Sequence, residues 1–178
     1  MDNAHALQIP SEWVKRWSGL ISAGGEVLDL ACGNGRHSRY IASAGHRVCA
    51  VDRDPQVVAA LTGIPGVNVQ VADVEGSPWP FQGRSFAGII VTNYLYRPLF
   101  PYLLEALAGD GTLIYETFAL GNERFGKPSN PDYLLRPGEL LEVVRGKLRV
   151  IAYEDLLVSL PKPAMVQRIC AVGARRSP

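Results

Sequence analysis

Several function classes are excluded by what the sequence lacks. No apolar run approaches the ~18 residues of a membrane-spanning helix, and Met1 to Pro10 has no basic segment followed by an apolar one, as a secretory leader would. A cytoplasmic protein without a membrane partner is expected. Cysteine is scarce: Cys32, Cys49 and Cys170 lie far apart in apolar runs and form no CxxC pair. They read as small core residues of a reducing compartment, and no metal site is expected. Nor is charge of one sign in excess, since 18 lysines and arginines stand against 17 aspartates and glutamates. No polyanion-binding footprint follows, so nucleic acid is not an expected partner, and the Arg175-Arg176 pair is too short to make one. There is no internal repeat.

What is present is the balance of a globular protein: 178 residues, 47% hydrophobic and 20% charged. A chain of this length buries roughly 70% of its unfolded surface, so a single domain over residues 1–178 needs neither disulfide nor metal for stability. Short apolar runs alternate with helical patterns, which predicts an α/β fold with a doubly wound, mostly parallel sheet. Within residues 1–22, Ser11 caps a helix running to about Leu20; His5 falls in the preceding tail. Strands are expected over Glu26–Leu30, Arg47–Val51, Val67–Val71, Phe86–Val91 and Thr112–Phe118. Helices are expected over Arg36–Ala44, from Pro55, over Leu99–Leu107, which returns the chain through a turn at Gly109-Asp110-Gly111 to the fifth strand, and from Pro137 to Val144. Leu148–Ser159 and Met165–Gly173 read as an antiparallel hairpin closing one sheet edge. The glycine- and proline-bearing connection over 119–136 is long enough to suggest a lid.

The run Val27-Leu28-Asp29-Leu30-Ala31-Cys32-Gly33-Asn34-Gly35 sets a glycine-rich turn between a buried strand and a helix. Glycines permit positive φ and close approach to a ligand, and free N–H groups at the helix start favour an anionic group; such turns also occur for packing alone. Asp52 follows the second strand beside that turn, where a carboxylate can accept both ribose hydroxyls, although a cap before Pro55 would serve Asp54 equally. Asp73 ends the third strand at the same rim and can meet an adenine amino group. Ser38 occupies the third glycine position of a dinucleotide fingerprint, and no Lys-Ser/Thr pair follows the glycines, so neither NAD nor Walker-type ATP binding is supported.

These residues resemble the class I S-adenosylmethionine-dependent methyltransferases. Asp29 to Gly35 matches their Asp/Glu-x-x-x-Gly-x-Gly motif, Val51-Asp52 their ribose-binding acid, and Ala72-Asp73-Val74 their adenine-contacting motif. Gly33 to Ser38 and Pro78-Trp79-Pro80-Phe81 are similar to small bacterial, tellurite-resistance-type members. The resemblance implies a seven-stranded sheet whose last strand is antiparallel, with S-adenosyl-L-methionine as cofactor. It also implies cofactor contacts from Asp29, Ala31, Gly33, Asn34, Gly35, Asp52, Arg53, Asp73, Val74 and Asn93. Arg36 or Arg16 would meet the methionine carboxylate if not simply solvated.

A sulfonium methyl is already activated, so in-line transfer asks chiefly for alignment of the acceptor. Tyr94 and Tyr96, after the fourth strand, lie where the acceptor should sit or else pack under the lid. Glu116 is either a catalytic or acceptor-orienting carboxylate or a paired structural ion. In the lid, Arg124, Asn130 and Tyr133 either contact a small polar or anionic acceptor or hold their own turns. His37 and His46 have no clustered partners. The resulting expectation is a metal-independent methyltransferase acting on a small molecule, as a monomer or homodimer. The rivals are a nucleic-acid or protein methyltransferase and a non-catalytic cofactor-binding scaffold.

Overall fold

The computed structural model describes residues 9–176; the first eight residues, His5 among them, lie outside the described residues. Helix α1 (Glu12–Trp17) is capped by Ser11, whose hydroxyl accepts from the Trp13 amide at 3.1 Å, and a 3-10 turn carries it to Leu20. Strand β1 (Glu26–Leu30), helix α2 (Arg36–Ser43), strand β2 (Arg47–Asp52), helix α3 (Pro55–Ala59) and strand β3 (Val67–Val71) follow as expected. Asp54 is the cap of α3, its carboxylate accepting from the Gln56 amide at 2.9 Å, which leaves Asp52 for other work.

Strand β4 (Phe86–Thr92) leads through a 3-10 turn at Arg97–Leu99 into helix α4 (Phe100–Ala106), shorter than the Leu99–Leu107 span expected. Strand β5 (Leu107–Phe118) begins five residues before the expected Thr112. Gly109-Asp110-Gly111 is therefore strand rather than turn, at an irregularity in the β4–β5 register between Phe86 and Gly88. The neighbouring strand must carry glycine here, since a Cβ on Gly173 would stand 2.2 Å from the Gly109 carbonyl oxygen. Helix α5 (Glu139–Val144) starts two residues after Pro137, behind a left-handed Gly138. Strands β6 (Leu148–Val158) and β7 (Ala164–Gly173) form the expected hairpin.

The sheet order is β3-β2-β1-β4-β5-β7-β6, parallel through β5, with β7 antiparallel to both its neighbours. Strand order reverses between β1 and β4, and in open α/β sheets ligands bind outside the carboxyl ends of the strands at such a reversal. Side-chain alternation gives each face its own core. Leu28, Val91 and Tyr115 pack with Leu103 of α4 and Leu140 of α5, while Val27, Ile90 and Ile114 pack with Trp13 of α1 and Ile41 of α2.

Candidate active site

The glycine turn is shaped by its backbone. Gly33 and Gly35 have φ of 53° and 71°, and a Cβ on Gly35 would meet the Leu61 side chain at 2.2 Å, whereas Gly33 opens onto free space. Ala31 and Asn93 are the non-glycine residues with positive φ among the described residues, at 52° and 55°, and both line one cleft. Backbone strain of this kind costs roughly 1–3 kcal/mol per residue and concentrates at functional sites. Asp29 lies beneath the turn rather than in the cleft: it is buried and accepts from the Ser38 hydroxyl, and burial pushes its carboxyl up to about 6. It holds the turn against α2.

The cleft, about 410 Å³, opens at the carboxyl ends of β1 to β5. Asp52, Arg53, Asp73 and Val74 line one side. The Asp52 carboxylate accepts from the Gly33 amide at 2.9 Å through one oxygen and from Asp54 at 3.1 Å through the other, tying the second strand to the glycine turn while each oxygen keeps a lone pair for a ligand. Asp73 Oδ1 accepts from the Gly76 and Glu75 amides, which hold its carboxyl below the usual carboxylate range. The three strand ends thus converge as the motifs implied. Across the cleft, the Tyr94 hydroxyl donates to Glu75 Oε1 at 2.9 Å, and the Tyr115 hydroxyl donates to the Tyr94 carbonyl at 2.8 Å. Burial and the Glu75 carboxylate push the Tyr94 phenol upward, so it stays neutral.

On the far side stand Leu95, Thr117, Phe118, Pro128 and Tyr133. Of these only Tyr133 was singled out by sequence. Thr117 and Phe118 were signalled only by their place beside Glu116 at the end of β5. Glu116 itself faces the opposite side of the sheet, away from this cleft. It is 13% exposed; it accepts from the Ser11 hydroxyl at 2.7 Å and pairs with Arg168 at 3.1 Å, and Arg168 also holds Glu154. Strand register sets Thr92, Glu116, Arg168 and Glu154 side by side under the start of α1, so the paired-ion alternative describes Glu116. His37 joins this row. Its Nε2 accepts from the Ser11 amide at 3.1 Å, which leaves the proton on Nδ1 to donate to Thr92 Oγ1 at 3.3 Å; burial lowers the ring's pKa to about 3.

Other expected residues take structural positions. Arg124 donates to the Gly121 carbonyl and stacks on Phe125, and Asn130 caps the 3-10 turn at Pro131–Tyr133, so neither lines the cleft. Both hold the connection's own turns. Tyr96, Asn34, Gly33 and Gly35 flank the cleft without lining it. Arg36 donates to the Ile9 carbonyl, and Arg16 lies over Trp17. The connection over 119–136 contributes Pro128 and Tyr133 to the lining of the cleft.

Residues 27–109 match the model of a methyltransferase domain family. No curated protein matches the sequence. Among solved structures, TehB from Haemophilus influenzae is similar with a TM-score of 0.76 and 18% identity, over 93% of this chain and 62% of that one. The chain thus spans less than two thirds of that protein's length. A TehB-like SAM-dependent methyltransferase from Corynebacterium glutamicum gives 0.62 and 20%, over 97% and 100% of the two chains. An S-adenosylmethionine-dependent methyltransferase from Mesorhizobium loti gives 0.68 and 18%, over 88% and 97%. Likeness at such identities is likeness of fold. The residues nevertheless fit the cofactor, with an open glycine turn, a ribose-height carboxylate with free lone pairs and an acid at the third strand end. The domain match spans all three of these features: residues 27–109 are similar to a methyltransferase domain, and the chain has the fold of S-adenosylmethionine-dependent methyltransferases.

Proposed function

We propose that the protein transfers a methyl group to a small-molecule acceptor by in-line displacement. The observation that carries this reading is that one covered cleft contains both the converging strand ends and, across β4, a separate wall at the end of β5. S-adenosylmethionine supplies an activated methyl group when bound. Asp52 holds the ribose, Asp73 and the Val74 amide read the adenine, and Ala31 and Asn93 fix the backbone along the cofactor's length. Tyr94 closes one lip against Glu75, and the wall at the end of β5 orients the acceptor. Positioning of this sort can supply up to ~7–11 kcal/mol of barrier reduction, so no catalytic base is required.

A small acceptor is favoured over a polymer because Pro128 and Tyr133 roof the cleft and the charge is near balance. The free, buried cysteines favour a cytoplasmic setting. The test uses S-adenosylmethionine labelled on the methyl group, incubated with a small-molecule extract, with total RNA and with whole protein. Label is expected in the small-molecule fraction; label in RNA or protein would replace the acceptor class, and binding of the cofactor without transfer to any fraction would favour a scaffold.

A further inference from the structure

Resting on the reading above, the acceptor half of the cleft carries information about what it takes. Strands lie about 4.8 Å apart, so the end of β5 stands roughly 10 Å from the glycine turn after β1, with β4 between them. There the walls are Leu95, Phe118, Pro128 and the Tyr133 ring. Thr117, 1% exposed, adds a hydroxyl that no other described residue engages. No histidine, lysine or cysteine lines the cleft among the described residues. Arg53 is its one cation, standing at the cofactor side amid the carboxylates of Asp52, Asp73 and Glu75. The lid cation that would have suited an anionic acceptor, Arg124, is turned to the Gly121 carbonyl.

From this geometry we infer that the acceptor is a flat, uncharged molecule attacking through a lone pair that needs no proton removed, a pyridine-type nitrogen or a thioether sulfur, and not an oxyanion. An anion entering that half would give up its hydration for one hydroxyl and apolar walls, facing a cleft with an excess of carboxylates. A neutral ring gains from burial against the same walls. Chemically, the acceptor lone pair bonds to the methyl carbon as the carbon–sulfur bond breaks and its electron pair returns to sulfur. The positive charge passes to the acceptor, no proton moves, and no base is missing. The cationic product faces a cleft in which three carboxylates, Asp52, Asp73 and Glu75, stand against the single cation Arg53.

The experiment loads the full chain with S-adenosylhomocysteine and titrates isoquinoline, thioanisole, benzoate and selenite at neutral pH by calorimetry. Labelled S-adenosylmethionine then tests transfer to each. Isoquinoline or thioanisole is expected to bind roughly tenfold or more tightly than either anion and to accept the methyl group, giving the N-methyl or sulfonium cation. Failure of both neutral probes to bind, or tighter binding of benzoate or selenite, overturns the inference. Failure of S-adenosylhomocysteine itself to bind overturns instead the reading it rests on. Two variants locate the site. Thr117→Leu fills the acceptor half and should abolish isoquinoline binding with cofactor affinity retained. Tyr133→Ala, at a residue 55% exposed and outside the core, should weaken isoquinoline several-fold. Unchanged isoquinoline affinity in Tyr133→Ala overturns the assignment of this wall.

Discussion

Asp52 and Glu116 are both carboxylates at the carboxyl-end rim of one parallel sheet, and they do opposite things. Asp52 accepts two backbone amides and keeps lone pairs facing a cleft. Glu116 faces the other side of the sheet, its oxygens occupied by Arg168 and Ser11 under the first helix. What separates them is the partner. Backbone amides of a neighbouring turn orient a carboxylate while leaving it available, whereas a guanidinium and a hydroxyl satisfy it. A rim carboxylate is thus a binding group only when its partners are donors that also belong to the site.

The largest effect that sharpens this contrast is on stability. Arg168→Ala leaves Glu116 without its ion-pair partner and Glu154 with Arg16 alone, 4.0 Å away, and should cost about 2–4 kcal/mol in denaturant unfolding, with S-adenosylhomocysteine affinity unchanged. Asp52→Ala does the reverse. It should weaken cofactor binding by roughly 1.5–3 kcal/mol in calorimetry with a smaller loss of stability. An unchanged dissociation constant would remove the ribose assignment. Glu116→Gln keeps shape and the Ser11 contact but loses the ion pair, and should lower stability by about 1 kcal/mol without slowing turnover. A tenfold fall in kcat at intact cofactor affinity would return Glu116 to the acceptor site.

The effect that is smallest at neutral pH is a titration. His37 is neutral in the fold, with its pKa lowered from 6.5 to about 3 by burial, so the unfolded chain binds the proton more readily. Its contribution to stability is complete above pH 6.5 and is lost as pH falls toward 3. His37→Gln should flatten that part of the stability profile, and an identical acid limb in the variant would show that the ring is not sequestered. Asp29 acts with the opposite sign. Its carboxyl is raised from 3.8 to about 6, so its ionisation opposes folding increasingly as pH rises through that interval.

The ribose side of the cleft was legible because its parts are local. A glycine turn, an acid directly after β2 and an acid directly after β3 are each fixed by a few consecutive residues, and parallel register brings them together without further information. The far wall was not legible for a definite reason. Alternation with period two dictates that Glu116 and Thr117 point to opposite faces, but not which face is the cleft, and a carboxylate in an apolar stretch drew attention to the wrong one. Arg124 and Asn130 misled in the same manner, because local side-chain-to-backbone bonds hold turns and leave no trace in composition. The Gly109-Asp110-Gly111 segment read as a turn by propensity and became strand by tertiary pairing.

Arg97 fastens one end of the connection that lines the cleft. Its guanidinium reaches the carbonyls of Asp132 and Leu134 at 2.6 and 2.8 Å and both oxygens of Glu139. The trailing part of the connection is thereby tied to the body of the protein at two carbonyls, by a guanidinium that Glu139 itself holds in place. The leading part is held too, since the Ala119 amide donates to the Met165 carbonyl of β7 at 3.0 Å and Asn122 is buried. Pro128 and Tyr133 therefore stand at the cleft on a segment whose far end is fastened by one guanidinium to the turn before α4 and to the start of α5 at once.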